Sequence, residues 1–129
     1  MSNKSKGSNV ERELVKLFSE NGWRALRVAG SGVGEESPCD IIVGKIGKKG
    51  YAIEVKSSRK DHIYIKKEQI EDFLLFSETI GLKPVLAVRF SYEGWLFLTP
   101  DKLQDSGKFL SISRERAIQE GNRFSQFFN

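Results

Sequence analysis

At 129 residues, 39% hydrophobic and with nine Phe, the chain is long enough to bury a core without disulfides or a structural metal, which excludes a disordered polypeptide. It contains no apolar run of about 18 residues, so no membrane-spanning helix is expected, and the leading MSNKSKGSN lacks the apolar stretch of a secretory signal. The formal charge of +4 is a mild basic excess, concentrated in the first 67 residues, and suits a polyanionic partner as well as a plain soluble enzyme; one cysteine, Cys39, excludes an internal disulfide and fits a reducing cytoplasm.

Residues 1–8 are polar and read as a flexible segment. An amphipathic helix is predicted from Val10 to Asn21, because Val10, Leu14, Leu17 and Phe18 recur at helical spacing. Ser8 reads as its N-cap with Glu11 three residues on, and Gly22 as its stop. A strand is predicted at Trp23–Ala29, followed by the glycine-rich loop Gly30–Pro38. DIIV (Asp40–Val43) and YAIEVKS (Tyr51–Ser57) read as a β-hairpin across the GKKG turn at Gly47–Gly50. A second helix is predicted over residues 66–80, stopped by Gly81, then strands at PVLAVRF and WLFLTP joined through SYEG. Beyond residue 100 a turn near Leu103, a strand at Phe109–Ile112 and a helix from Ser113 are expected. The role of this tail is open: its end, RFSQFFN, reads as core, dimer contact or docking peptide. The order α-β-β-β-α-β-β implies one α/β domain over residues 1–129, a mixed central β-sheet flanked by helices. The second helix presents Phe73, Phe76 and Ile80 beside Ile70, Leu74 and Leu75, an apolar arc wider than one sheet contact needs, which points to a homodimer interface.

The chemistry centres on AIEVK. Glu54 and Lys56 alternate with Ile53 and Val55, so both charges project from one face of a strand. Asp40 opens the neighbouring strand and shares that face if it lies opposite Lys56 or Ser58. A tight turn pairing Gly47 with Gly50 would turn it away. A longer loop or a bulge at Gly44 is therefore expected, or Asp40 lies just before regular pairing begins. Two adjacent carboxylates ionise cheaply only around a cation. Hard oxygen donors without a Cys/His cluster select Mg²⁺ or Mn²⁺ over zinc. With Lys56 to orient water or stabilise charge on phosphorus, the set suits metal-assisted phosphodiester hydrolysis. The alternative is an exposed Glu54–Lys56 ion pair contributing about 0–1 kcal/mol, which makes no call on Asp40. At about 100° per residue Glu11 falls between Phe18 and Val15, at the edge of the buried face, whereas Glu13 falls outside it. Glu11 thus reads as the capping partner of Ser8 or as an acid reaching the sheet. Cys39 reads as a packing residue, and His62 as structural or a phosphate contact. Arg59 and Lys60, just past the strand, are candidate DNA-backbone contacts.

The PCD and EVK of this chain resemble the signature of the PD-(D/E)xK nuclease superfamily. NVERELVKLF, RVAGSG, DIIVG, IEVKSSRKDHIYI and PVLAVRF…GW, in order over residues 7–98, together resemble the archaeal Holliday junction resolvases. That resemblance implies a restriction-endonuclease-like fold and a homodimer acting on four-way junction DNA by paired symmetric nicks, with Mg²⁺ as cofactor. It implies metal binding by Glu11, Asp40 and Glu54, catalysis by Lys56, and a contact of Ser31 near the scissile phosphate. Arg12 and Arg27 match basic positions that the family directs towards DNA. No membrane and no small-molecule substrate are expected. The rivals are a sequence-specific restriction-type endonuclease and a non-catalytic junction-binding dimer.

Overall fold

A computed structural model describes residues 3–28 and 37–129, with side chains from residue 9 onward. Ser31 and most of the Gly30–Pro38 loop lie outside the described residues. Helix α1 (Asn3–Glu20) leads into β1 (Arg24–Arg27), β2 (Ile41–Gly44), β3 (Tyr51–Ser58), β4 (His62–Lys66) and helix α2 (Lys67–Thr79). Then come β5 (Lys83–Phe90), β6 (Gly94–Leu98), a 3₁₀ turn (Pro100–Lys102), β7 (Gln104–Ser106), β8 (Phe109–Ser113), α3 (Arg114–Glu120) and α4 (Phe124–Phe127). The main sheet runs β1-β2-β3-β5-β6 and is mixed: only the β3–β5 pair is parallel, connected through α2.

Four expectations need correction. Helix α1 begins at Asn3, so Ser8 lies inside it and is not its cap, and residues 3–8 are helical rather than loose. Polar residues before Val10 carry no apolar stripe, so periodicity could not register that extension. A second sheet, β4-β8-β7, was missing from the expected order. HIYIK alternates exposed and buried along β4, as a half-buried strand does, but β7 is three exposed residues with no such pattern. Phe73, expected on the surface of α2, is fully buried, while Leu74, Leu75 and Ile80 are exposed. The final helix is also divided, into α3 and α4. A Cβ at Gly121 would meet the Ala117 carbonyl at 2.6 Å, so this tight exit from α3 accepts only glycine.

The β2–β3 hairpin pairs Ile41 with Ile53 and Val43 with Tyr51 across a long loop, not a two-residue turn. Gly47 in that loop has φ +81°, which glycine adopts without strain. Asp40 sits just before the pairing begins, and the register extended by one step sets it across from Glu54 rather than Lys56 or Ser58. Parity is nevertheless as required.

Apolar residues fill both faces of the sheet. On one face Ile70 and Phe73 of α2 pack with Ala52, Leu86, Val88 and the second sheet's Ile63, Ile65 and Ile112. On the other, Leu14 and Phe18 of α1 pack with Ile53, Val85, Ala87, Phe97 and Phe128. Each such side chain contributes roughly 1.5–3 kcal/mol through burial. The RFSQFFN end belongs to this second cluster: the Phe128 ring lies 4.9 Å from Phe18, 5.0 Å from Phe97 and 5.2 Å from Tyr51. Among the described residues no helix is long and apolar enough to cross a membrane.

Candidate active site

Three elements deliver the acids. Glu54, in the middle of β3, is 2% exposed although acidic. Its Oε2 accepts a hydrogen bond from Gln69 Nε2 of α2 at 2.8 Å and lies 3.3 Å from Lys56 Nζ. Asp40 is locked by the backbone around it. Its N–H donates to the Ile53 carbonyl at 2.9 Å, and its own carbonyl accepts from Val28 N–H at 2.8 Å. Beyond the end of β2 the Val55 N–H has no strand opposite it, and Asp40 Oδ2 takes it at 2.8 Å. Glu11, from the third turn or so of the long α1, accepts from Arg27 Nε at 3.1 Å and pairs with its Nη2 at 3.0 Å.

The electrostatics tie these acids together. The Glu54 carboxyl is pushed up to about 8, by burial first and then by the charges of Asp40 and Glu11, against the pull of Lys56. Asp40 is raised too, mainly by burial, with Glu11 adding to the effect while the Val55 N–H, Lys56 and Arg27 oppose it. Asp40 and Glu54 are thus both held towards their neutral forms, by burial and by neighbouring negative charge. Among the described residues no three His, Cys, Asp or Glu side chains close into a ready-made metal cage. Buried Glu54 and half-buried Asp40 nonetheless fit a hard divalent cation. They are oxygen donors, held from behind, whose mutual repulsion a cation would relieve.

A pH effect follows. Glu54 keeps its proton to about pH 8 in the folded chain but loses it near 4.5 when unfolded, so folding takes up a proton between those values. Its contribution is fully present below about 4.5 and is lost as pH rises towards 8. In metal-free buffer the thermal midpoint should fall across this window, by an amount on the order of a few kcal/mol in stability. Glu54→Gln should flatten the fall. Parallel pH profiles for the two proteins would remove Glu54 as its source.

The other expected residues lie around this centre. Arg12 is exposed beside Glu11, and Arg59 and Lys60 are exposed just past β3. Cys39 is fully buried and its thiol is pushed up to about 11, by burial first and then by Asp40 and Glu54, which suits packing and not nucleophilic attack. His62 stacks on Tyr64 at 5.8 Å on the exposed face of β4, apart from the acids. Gln69 had not been singled out; its only trace in sequence is a polar residue directly before the buried Ile70.

An Asp at the mouth of one strand, an ExK on the next and a mixed sheet flanked by helices define a nuclease of the PD-(D/E)xK, restriction-endonuclease-like class. The family model described as archaeal Holliday junction resolvase (Hjc) matches residues 2–129. The chain belongs to that archaeal Holliday junction resolvase family. It is 43% identical over 114 residues to the crossover junction endodeoxyribonuclease Hjc of Methanocaldococcus jannaschii, covering 88% of this chain and 80% of that one. To the enzyme of the same name from Archaeoglobus fulgidus it is 33% identical over 109 residues, covering 84% and 79%. The solved structure of Archaeoglobus fulgidus Hjc, a Holliday junction resolvase, superimposes with a TM-score of 0.84 at 27% identity, covering 95% of this chain and 99% of that one.

Proposed function

We propose that this protein is a Mg²⁺-dependent endonuclease that, as a homodimer, resolves four-way DNA junctions by paired symmetric nicks. The observation that carries the reading is that Asp40, Glu54 and Lys56 share one face at the mouth of the hairpin, with Glu11 near enough for its charge to act on both acids, in a fold shared with the resolvases. Asp40 and Glu54 hold Mg²⁺, or Mn²⁺ in its place, with Glu11 assisting. A divalent ion there supplies Lewis-acid polarisation of the phosphate and a lower pKa for the attacking water. Lys56, anchored on Glu54 Oε2, orients that water and stabilises the charge that builds on the phosphoryl oxygens. Gln69 occupies the same Glu54 oxygen and restrains the carboxylate's rotation. Arg12, Arg27, Arg59, Lys60 and Ser31 contact the DNA backbone, where arginine can grip a phosphate bidentately. The exposed Leu74, Leu75 and Ile80 of α2 support a dimer that sets two such sites on one junction. The reading implies a cytoplasmic enzyme with no small-molecule substrate.

The direct test compares a mobile four-way junction with linear duplex, each in Mg²⁺ and in EDTA. Nicking of the junction alone, and only with Mg²⁺, is expected. Cleavage of linear duplex at a preferred sequence would point to a restriction-type enzyme. Junction binding without cleavage under any metal would leave a non-catalytic dimer.

A further inference from the structure

Strand β3 has a second working face. Glu54 and Lys56 project to the α2 side, and by alternation Ser57 projects to the α1 side. At the carboxyl ends of the parallel β3 and β5, where open α/β sheets bind ligands, Ser57 lies beside Arg89 and Ser58 beside Phe90. There Val10, Ser57, Ser58, Arg59, Arg89 and Ser91 line a cavity of about 160 Å³. Its rim is tied in place: Ser91 N–H donates to the Ser58 carbonyl at 3.2 Å, and Lys60 N–H to Ser58 Oγ at 3.0 Å.

Arg89 is held from behind. Glu13 Oε2 lies 2.8 Å from Arg89 Nε and accepts from Trp95 Nε1 at 2.7 Å. Trp95 is in turn the cross-strand partner of Arg89. The Arg89–Glu13 contact is an ion pair rather than a directed hydrogen bond, so among the described residues the buried Nε–H makes none. Two arginines and the hydroxyl-bearing Ser57 and Ser91 thus line the cavity, with Glu13 paired to Arg89. That donor set fits a phosphate, which accepts from all of them.

We propose that this cavity seats a backbone phosphate of the bound DNA other than the scissile one. Arg89 is its principal cation, Ser57 and Ser91 are hydroxyl donors, and Glu13 is a positioning residue that aims Arg89. The inference rests on the junction-nuclease reading above and extends it to a second grip on the same strand. The two acids of the ERE run then divide their work, Glu11 towards the carboxylate cluster and Glu13 towards the arginine.

The test is junction binding by the full chain in EDTA, with an intact four-way junction and with junctions carrying one uncharged methylphosphonate at successive positions flanking the branch. The wild type should lose affinity at one position outside the scissile phosphate. Arg89→Gln should weaken binding of the intact junction roughly ten- to a hundredfold and lower the slope of log K against log salt by about 0.9 per site. It should also be indifferent to the methylphosphonate that harms the wild type. Glu13→Ala and Glu13→Gln, neither of which can form the ion pair with Arg89, should share that indifference, and Glu13→Asp, which keeps the charge, should restore part of the wild-type pattern. If Arg89→Gln fails to fold, Ser91→Glu carries the test, since it leaves the Arg89–Glu13 pair intact while placing a negative charge in the cavity. It should weaken binding at least about tenfold, and Ser91→Gln far less. Wild-type slope and wild-type interference pattern in these variants overturn the cavity and leave the junction reading standing. A wild type that binds junction and duplex alike overturns the junction reading and the cavity with it.

Discussion

Glu54→Gln is expected to abolish nicking, by at least about a thousandfold in single-turnover rate, while four-way junction binding survives. The substitution preserves shape, so the β3 core stays packed, but it removes one of the two carboxylates that would hold a cation and the anchor for Lys56. Asp40→Asn should behave alike for a different reason: an amide oxygen can still accept the Val55 N–H, so the hairpin closes while the charge is gone. Lys56→Ala leaves both acids in place and should lose roughly two to three orders of magnitude, the usual cost of one preorganised charge-stabilising donor. Because the groups act as a unit, Asp40→Asn with Glu54→Gln should cost little more than either alone. The measurement pairs cleavage with binding for each variant. Near-wild-type cleavage by any one of them would dismiss that residue from the chemistry.

Phe128→Ala should be the most destabilising single truncation near the C-terminus, at about 3 kcal/mol or more. Phe128 is 7% exposed and its ring meets Phe18, Trp23, Tyr51 and Phe97. Against the 5–15 kcal/mol that is typical of a folded domain this is a large share, and it should lower the thermal midpoint by about 10 °C. Phe127→Ala, at a half-buried position, should cost less. A midpoint moved by no more than about 2 °C in Phe128→Ala would mean that the tail does not complete the core.

Most of what was legible beforehand rested on periodicity and on charge placement. Strands β5 and β6 carry unbroken apolar runs, β3 alternates apolar with charged residues, and α2 ends where Gly81 takes φ +74°, so these elements stood out. The neighbourhood of Asp40, Glu54 and Lys56 was legible because alternation along a strand is strict: only even-parity registers bring them to one face. The register itself was not legible, because the exposed segment between β2 and β3 carries no apolar pattern that would fix the length of the loop. Phe73 was misjudged because a wide apolar arc on α2 does not say which part meets the sheet. Strand β7 was invisible because its three residues are all exposed and owe their conformation to β8. Gln69 and Arg89 escaped notice because their partners, Glu54 and Glu13, are distant in sequence and nothing in local pattern joins them. The tail's place in the core could not be chosen from its composition, since an aromatic cluster suits an interior and an interface equally.

The bond from Val55 N–H to Asp40 makes competence for cleavage a reporter of correct strand registration. A hairpin slipped by one residue would turn Asp40 to the opposite face and leave the Val55 donor unpaired, so such a chain would carry every residue of the site and yet be inert. If Asp40 holds the metal as proposed, a misfolded copy would thereby be kept from cutting DNA indiscriminately, because the carboxylate needed for cleavage is in place only when the sheet around it is right.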